Sequence, residues 1–171
     1  MVEKTWVFGY GSLIYKVDFP YLERATASIR GWERRFWQGS HDHRGTPCAP
    51  GRVVTLIPSG GAVCRGVAYL IEPGVFEHLD HREKNGYERY TVPIYLDDSA
   101  VEEVAGVIYV AAADNHAYLG PAELTELAAH IADSHGPSGS NTDYVLQLAE
   151  ALRGLGDYDP HVHALEALLS E

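Results

Sequence analysis

Apolar residues in this chain pass from a mainly strand-like spacing to a helical one, and that change divides it into a strand-forming part and a helix-forming part. Thr5 to Tyr10 is an apolar-aromatic run ending at a glycine turn, and Ala25 to Gln38 carries three aromatics. Arg52 to Pro58 and Ala62 to Ile71 flank Ser59-Gly60-Gly61, which reads as a hairpin turn. Tyr90, Val92, Ile94 and Leu96 alternate with Thr91, Pro93 and Tyr95, a period of two, and Val104 to Ala113 completes the set. Pro93 has no N–H to give a ladder, so its strand belongs at an edge or a bulge. One helical insertion interrupts the strands: Pro73-Gly74 open it, Phe76 and Leu79 line it, and Asn85-Gly86 close it. From Gly120 onward the spacing becomes three and four. Gly120-Pro121 begins a helix with Leu124, Leu127, Ala128 and Ile131. Asn141 or Thr142 caps a second with Val145, Leu148 and Leu152, and Pro160 begins a third. Strands first and helices later predict an α+β fold, a strongly curved sheet or small barrel with packed helices and a helix-rich C-terminal third. No linker divides the 171 residues, so residues 1–171 read as a single domain.

Thirteen basic residues against 24 acidic ones give a net charge of -11. That balance argues against nucleic acid and anionic membrane as partners, because both need a cationic face. The first residues show no basic n-region followed by an apolar h-region, and the apolar stretch Val107 to Ala113 is too short to span a bilayer. Cys48 and Cys64 read as free thiols, and the expected location is cytoplasmic. An anionic substrate would then need a locally positive pocket built from backbone N–H groups or a few Arg.

Four segments have residues suited to chemistry. In Phe8-Gly9-Tyr10-Gly11-Ser12-Leu13, two glycines at a strand end let the backbone turn and present successive N–H groups to a carboxylate or oxyanion. It lacks the third glycine of a dinucleotide fingerprint and the Lys of a P-loop, and Ser12 is not in a nucleophile elbow. A tight turn alone would look the same. Around Leu79 to Glu88, Asp80, His81, Glu83 and Glu88 each qualify as a general base, although such a cluster also reads as a solvated helix end. In Arg34 to Thr46, Arg35 or Arg44 could grip a carboxylate. His41-x-His43, His78-x-x-His81 and His161-x-His163 lack the pattern of a zinc site, so no metal is expected. Gly136 to Tyr144 offers helix-start N–H groups to an anion, or simply a capped helix.

Taken in order, these blocks resemble one family. Phe8 to Leu13, Arg35-Phe36-Trp37-Gln38-Gly39-Ser40, Asp42-His43-Arg44-Gly45 and Pro50-Gly51-Arg52-Val53-Val54-Thr55-Leu56 are similar to the ChaC-type, glutathione-specific γ-glutamylcyclotransferases. So are Arg82-Glu83-Lys84, Tyr118-Leu119-Gly120-Pro121 and Gly136-Pro137-Ser138-Gly139 with Asn141-Thr142. The resemblance implies a γ-glutamylcyclotransferase-like mixed barrel with helices and an enzyme that splits reduced glutathione into 5-oxoproline and Cys-Gly without a cofactor. It implies that Glu83 is the catalytic acid and base, that Val7, Phe8, Gly9, Tyr10, Gly11, Ser12 and Leu13 form the substrate cradle, and that Tyr144 stands near the substrate. A sister enzyme acting on other γ-glutamyl compounds and a noncatalytic glutathione-binding module are the alternatives.

Overall fold

The computed structural model describes residues 4–83, 87–97, 103–111 and 114–170. The barrel strands are β1 (Thr5–Gly9), β2 (Glu23–Ser40), β3 (Gly51–Ile71), β4 (Tyr87–Leu96) and β5 (Glu103–Ala111). The helices are α1 (Pro73–Glu83), α2 (Leu124–Ala132), α3 (Asn141–Gly154) and α4 (Pro160–Leu169), with a short pair β6 (His135–Gly136) and β7 (Gly139–Ser140) ahead of α3. The chain divides into two compact units, Met1–Glu33 with Ile57–Ala112 and Arg34–Leu56 with Ala113–Glu171. The predicted helix closure Asn85-Gly86, Lys84 of the Arg-Glu-Lys block and the end of the Val104 to Ala113 strand lie outside the described residues.

The first unit holds the closed barrel, in the order β1-β3-β2-β4-β5. β1 runs antiparallel to β3, from Thr5 opposite Ile71 to Gly9 opposite Val67. It runs parallel to β5, with Trp6 opposite Gly106 and Val7 opposite Val107. That parallel pair closes the barrel and makes the sheet mixed, and Gly106 permits it. A Cβ there would overlap the end of Ile94 and come within 2.8 Å of Trp6 O. Val7, Phe8, Ile29, Ile71, Ile94 and Ile108 are almost fully buried, as an alternating pattern curled on itself requires. Pro93 stands opposite Ala105 on β5, while among the described residues the β2–β4 ladder pairs Ala27 with Leu96 and Ser28 with Tyr95. The proline therefore sits where β4 lacks a ladder on its other side, the edge-like position its missing N–H demands.

The hairpin expected at Ser59-Gly60-Gly61 is not a turn. β3 continues through it for 21 residues. Gly61 has φ +82 and Gly31 on β2 has φ +85, so each long strand bends at a glycine without reversing. The reversal between β2 and β3 falls instead in residues 41–50.

In the second unit, α2, α3 and α4 bury Leu127, Ile131, Val145, Leu148, Leu152 and Leu165, the three-and-four spacing seen in the sequence. Asp159 caps α4, accepting from the His161 and Val162 N–H groups, with Pro160 at the first turn. Ser140, rather than Asn141 or Thr142, caps α3 by accepting from the Asp143 N–H at 3.1 Å. Asn141 is occupied elsewhere: its amide accepts the Arg52 N–H at 2.7 Å and donates to Arg52 O at 2.8 Å. Helix α2 begins at Leu124 and not at Gly120-Pro121. Gly120 has φ +82, and the Leu119 and Gly120 N–H groups both donate to Trp37 O.

One half-buried histidine, His161, makes this unit acid-sensitive. The Phe36 N–H donates to His161 Nε2 at 3.0 Å, so the ring must be neutral there. Burial, and then the nearby Arg35 charge, push His161 down from 6.5 to about 4, with Asp159 opposing. Because this pKa is lower in the folded chain than in the unfolded one, the unfolded state takes up the proton first as the pH falls. Stability is therefore full above about 6.5 and is lost progressively down to about 4, by roughly 3 kcal/mol from this group. Denaturant melts at pH 7 and pH 4.5 should show that loss. His161→Gln, lower in stability at pH 7, should show a smaller one. Equal pH slopes would remove His161 as the cause.

Candidate active site

β1 delivers the chain to Gly9, and the next residues turn through a short 3-10 segment, Ser12–Ile14. The Ile14 N–H donates to Gly11 O at 3.0 Å, and the Tyr15 and Lys16 N–H groups donate to Ser12 O. Ser12 and Leu13 open the turn, so their own N–H groups have no acceptor within it. Gly9 is needed for the tightness of this turn, since a Cβ there would lie 2.7 Å from Leu13 Cβ. Val7, Phe8 and Gly9 are buried, Tyr10, Gly11 and Leu13 are partly exposed, and Ser12 is exposed. Of the residues predicted to form a cradle, then, Val7 to Gly9 lie in the buried strand, and Tyr10 to Leu13 are the ones that solvent reaches. Two phenols pin the turn: Tyr69 donates to Leu13 O at 2.5 Å, and Tyr10 donates to Tyr109 O at 2.6 Å.

Tyr109 also joins the turn to α1. Its hydroxyl donates to Asp80 Oδ1 at 2.9 Å, and the same oxygen takes Arg89 Nη1 at 2.8 Å. Asp80 and Glu83 are three residues apart on α1, hence neighbours on one helix face. Burial first, then the hydrogen bond and charge of Asp80, raise the Tyr109 pKa far above its usual range, and Glu83 adds to the effect. Glu83 keeps about a quarter of its side chain exposed and places Oε1 3.2 Å from Arg82, which also pairs with Asp18 at 2.9 Å. The four possible bases thus differ in surroundings. Asp80 is committed to Tyr109 and Arg89, Glu88 is exposed and accepts from Tyr90, and His81 is exposed. Glu83 is partly covered and contributes to the electrostatics of the Tyr109 hydroxyl. Sequence reading missed Tyr109, which stands inside an apolar strand run with nothing local to mark it.

The same architecture is found among known proteins. A family model described as ChaC-like protein matches residues 5–171. The chain belongs to the ChaC-like family. It is 47% identical to "Gamma-glutamylcyclotransferase 2-3" of Arabidopsis thaliana, over 92% of this chain and 84% of that one. It is 41% identical to "Glutathione-specific gamma-glutamylcyclotransferase 1" of Danio rerio, over 96% of this chain and 88% of that one. The crystal structure of the selenomethionine-labelled yeast γ-glutamyl cyclotransferase specific to glutathione superposes with a TM-score of 0.87 at 35% identity, covering 98% of this chain and 96% of that one. The fold is that of the γ-glutamyl cyclotransferases.

The remaining ChaC-like blocks lie in the second unit, and most of them act in packing. Gly45, Gly51 and Gly136 let three backbones cross: a Cβ on Gly51 would be 2.8 Å from Asn141 Oδ1, and one on Gly136 would be 2.6 Å from the Gly45 nitrogen. Arg52 spans this crossing, donating to Phe36 O at 3.0 Å, Gly120 O at 2.8 Å and His130 Nδ1 at 3.1 Å. Tyr144 is buried, and its hydroxyl accepts the Val54 N–H at 3.3 Å. The Arg44 guanidinium lies 5.6 Å from the centre of that ring, donates to Ser140 O and has no carboxylate partner among the described residues. Arg35 borders a cleft of about 400 Å³ with Trp37, Glu123 and His161. Of the histidines noted in the sequence, His43 meets Ser138 Oγ, and His161 takes the Phe36 N–H. Among the described residues no three His, Cys, Asp or Glu side chains come together. Cys48 is exposed, Cys64 is buried, and neither forms a disulfide among the described residues.

Proposed function

We propose that this protein is a glutathione-specific γ-glutamylcyclotransferase in which Glu83 is the acid and base and the Tyr10 to Leu13 turn holds the γ-glutamyl group. The observation that carries this reading is that α1, the helix bearing Glu83, is tied to the turn through one residue: Tyr109 donates from its hydroxyl to Asp80 and accepts the Tyr10 hydroxyl at its main-chain carbonyl. Family membership over residues 5–171 supports the substrate and supports a single catalytic domain. For Tyr144 the support is the family resemblance.

Glutathione carries its glutamyl residue through the side-chain γ-carbon, so its free α-amine can curl round and attack that carbonyl. An amine with a reference pKa of about 8 is mostly ammonium at neutral pH and cannot attack until a base takes a proton. Glu83 takes it. The nitrogen then bonds to the γ-carbon, and backbone N–H groups of the turn steady the charge on the carbonyl oxygen or hold the α-carboxylate. Collapse breaks the bond to the cysteine nitrogen, which receives a proton from Glu83. The attacking nitrogen loses two protons and the leaving nitrogen gains two, so the reaction consumes neither acid nor water. The products are 5-oxoproline and Cys-Gly. Holding the substrate folded for this attack supplies much of the acceleration. The expected site of action is the cytoplasm, where reduced glutathione is abundant.

The test is to incubate purified protein with reduced glutathione and follow both products, with γ-glutamyl-alanine assayed in parallel. Equimolar 5-oxoproline and Cys-Gly are expected. Turnover of γ-glutamyl-alanine alone would make it the sister enzyme, and binding of glutathione without any product would make it a binding module.

A further inference from the structure

Asp80 is more than a strut between α1 and the barrel. A phenol has one proton to donate, and that of Tyr109 goes to Asp80 Oδ1 at 2.9 Å. Arg89 fixes the same carboxylate oxygen from β4 at 2.8 Å, so Asp80 is held from two strands and only 14% of its side chain is exposed. With its proton so directed, the Tyr109 oxygen has only lone pairs left for any other partner. Asp80 also lies one turn before Glu83 on α1, which puts the two carboxylates on one face of the helix. The charge of Glu83 adds to the raised pKa of Tyr109, so the two are within electrostatic reach.

We propose that Asp80 is a positioning residue that commits the Tyr109 proton, so that Tyr109 and Glu83 together present acceptors to the α-ammonium of the γ-glutamyl substrate. This rests on the reading of Glu83 as the base. Without Asp80 the Tyr109 hydroxyl would turn its proton toward Glu83, which would occupy the base and put a donor where the substrate brings donors. The chemistry explains why a free α-amine is recognised: two acceptors suit an ammonium and give nothing to a methylene.

The experiment compares Asp80→Ala with Asp80→Asn. The Asn carbonyl can accept from both Tyr109 and Arg89, so Asp80→Asn should retain activity within about threefold, whereas Asp80→Ala should lose roughly 10- to 100-fold in glutathione turnover. The second readout is inhibition by glutaryl-Cys-Gly, the analogue in which the α-amine is replaced by hydrogen. Its inhibition constant should be unchanged in Asp80→Ala, because the lost arrangement serves the ammonium. Equal losses in Ala and Asn variants would assign Asp80 to charge pairing with Arg89, and a parallel loss of analogue binding would make its role structural. Either result overturns the proposal, as does an Asp80→Ala protein of normal activity. If Asp80→Ala does not fold, Asp80→Leu with Arg89→Met removes both charges together and should show the same turnover loss with intact analogue binding. Glu83→Gln, run alongside, separates the two levels. If it keeps activity the acid/base reading fails, and if it is inactive while Asp80→Ala is normal only this inference fails.

Discussion

Glu83→Gln should fold like the parent, bind glutathione and lose turnover by about 100-fold or more. The amide keeps the size of the side chain, and its oxygen can still accept from Arg82, the contact observed at 3.2 Å. What it cannot do is take a proton from the substrate ammonium and return one to the leaving nitrogen. A thermal melt would establish the fold, calorimetry the binding, and 5-oxoproline release the rate. Glu88→Gln and His81→Gln provide the comparison, since both residues are exposed, and both variants should stay active. Near-parental turnover in a folded Glu83→Gln protein would leave the mechanism without its base.

Gly45→Ala should be the most damaging single-methyl addition among these predictions. The new Cβ would overlap the Gly51 nitrogen and lie 2.5 Å from Ser40 O and 2.6 Å from Pro50 C. All three are backbone atoms, which cannot rotate aside as a side-chain end can. The expected cost is about 3 kcal/mol or more, beyond ordinary overpacking because two chain segments must separate. For a chain of this length that is a fall of roughly 6–12 °C in Tm. Gly60→Ala is the control: it has nothing within 4 Å and should change stability by no more than about 0.5 kcal/mol. A Gly45→Ala protein melting with its parent would mean that the crossing of residues 45, 51 and 136 is looser than described.

Sequence and structure divide the explanation unevenly. Local signals were legible: α3 through Val145, Leu148 and Leu152, α4 through Pro160 at its start, and β4 through its alternation. So was the turn at Gly9 to Leu13, because two glycines at a strand end leave few other conformations. The glycine-bearing blocks pointed to the family, although their packing reason, backbone crossing backbone, shows only in three dimensions. Ser59-Gly60-Gly61 misled because a glycine with positive φ serves a bend within a strand as well as a reversal, and only the pairing partners decide which. The cap of α3 passed from Asn141 to Ser140 because Asn141 was needed 89 positions away, on the Arg52 backbone.

By itself, the sequence determined the α+β order, the N–H-lined turn and a short roll of possible bases, since each depends on chemistry within a few residues. Tertiary structure alone gives those bases different surroundings. Closing the barrel by the parallel pairing of β1 with β5 brings the Tyr10 hydroxyl to the Tyr109 main-chain carbonyl, and packing α1 on that strand brings Asp80 to the Tyr109 hydroxyl. These contacts join positions 29 and 99 apart, and no local periodicity carries that information: it lies in which strands the barrel makes neighbours.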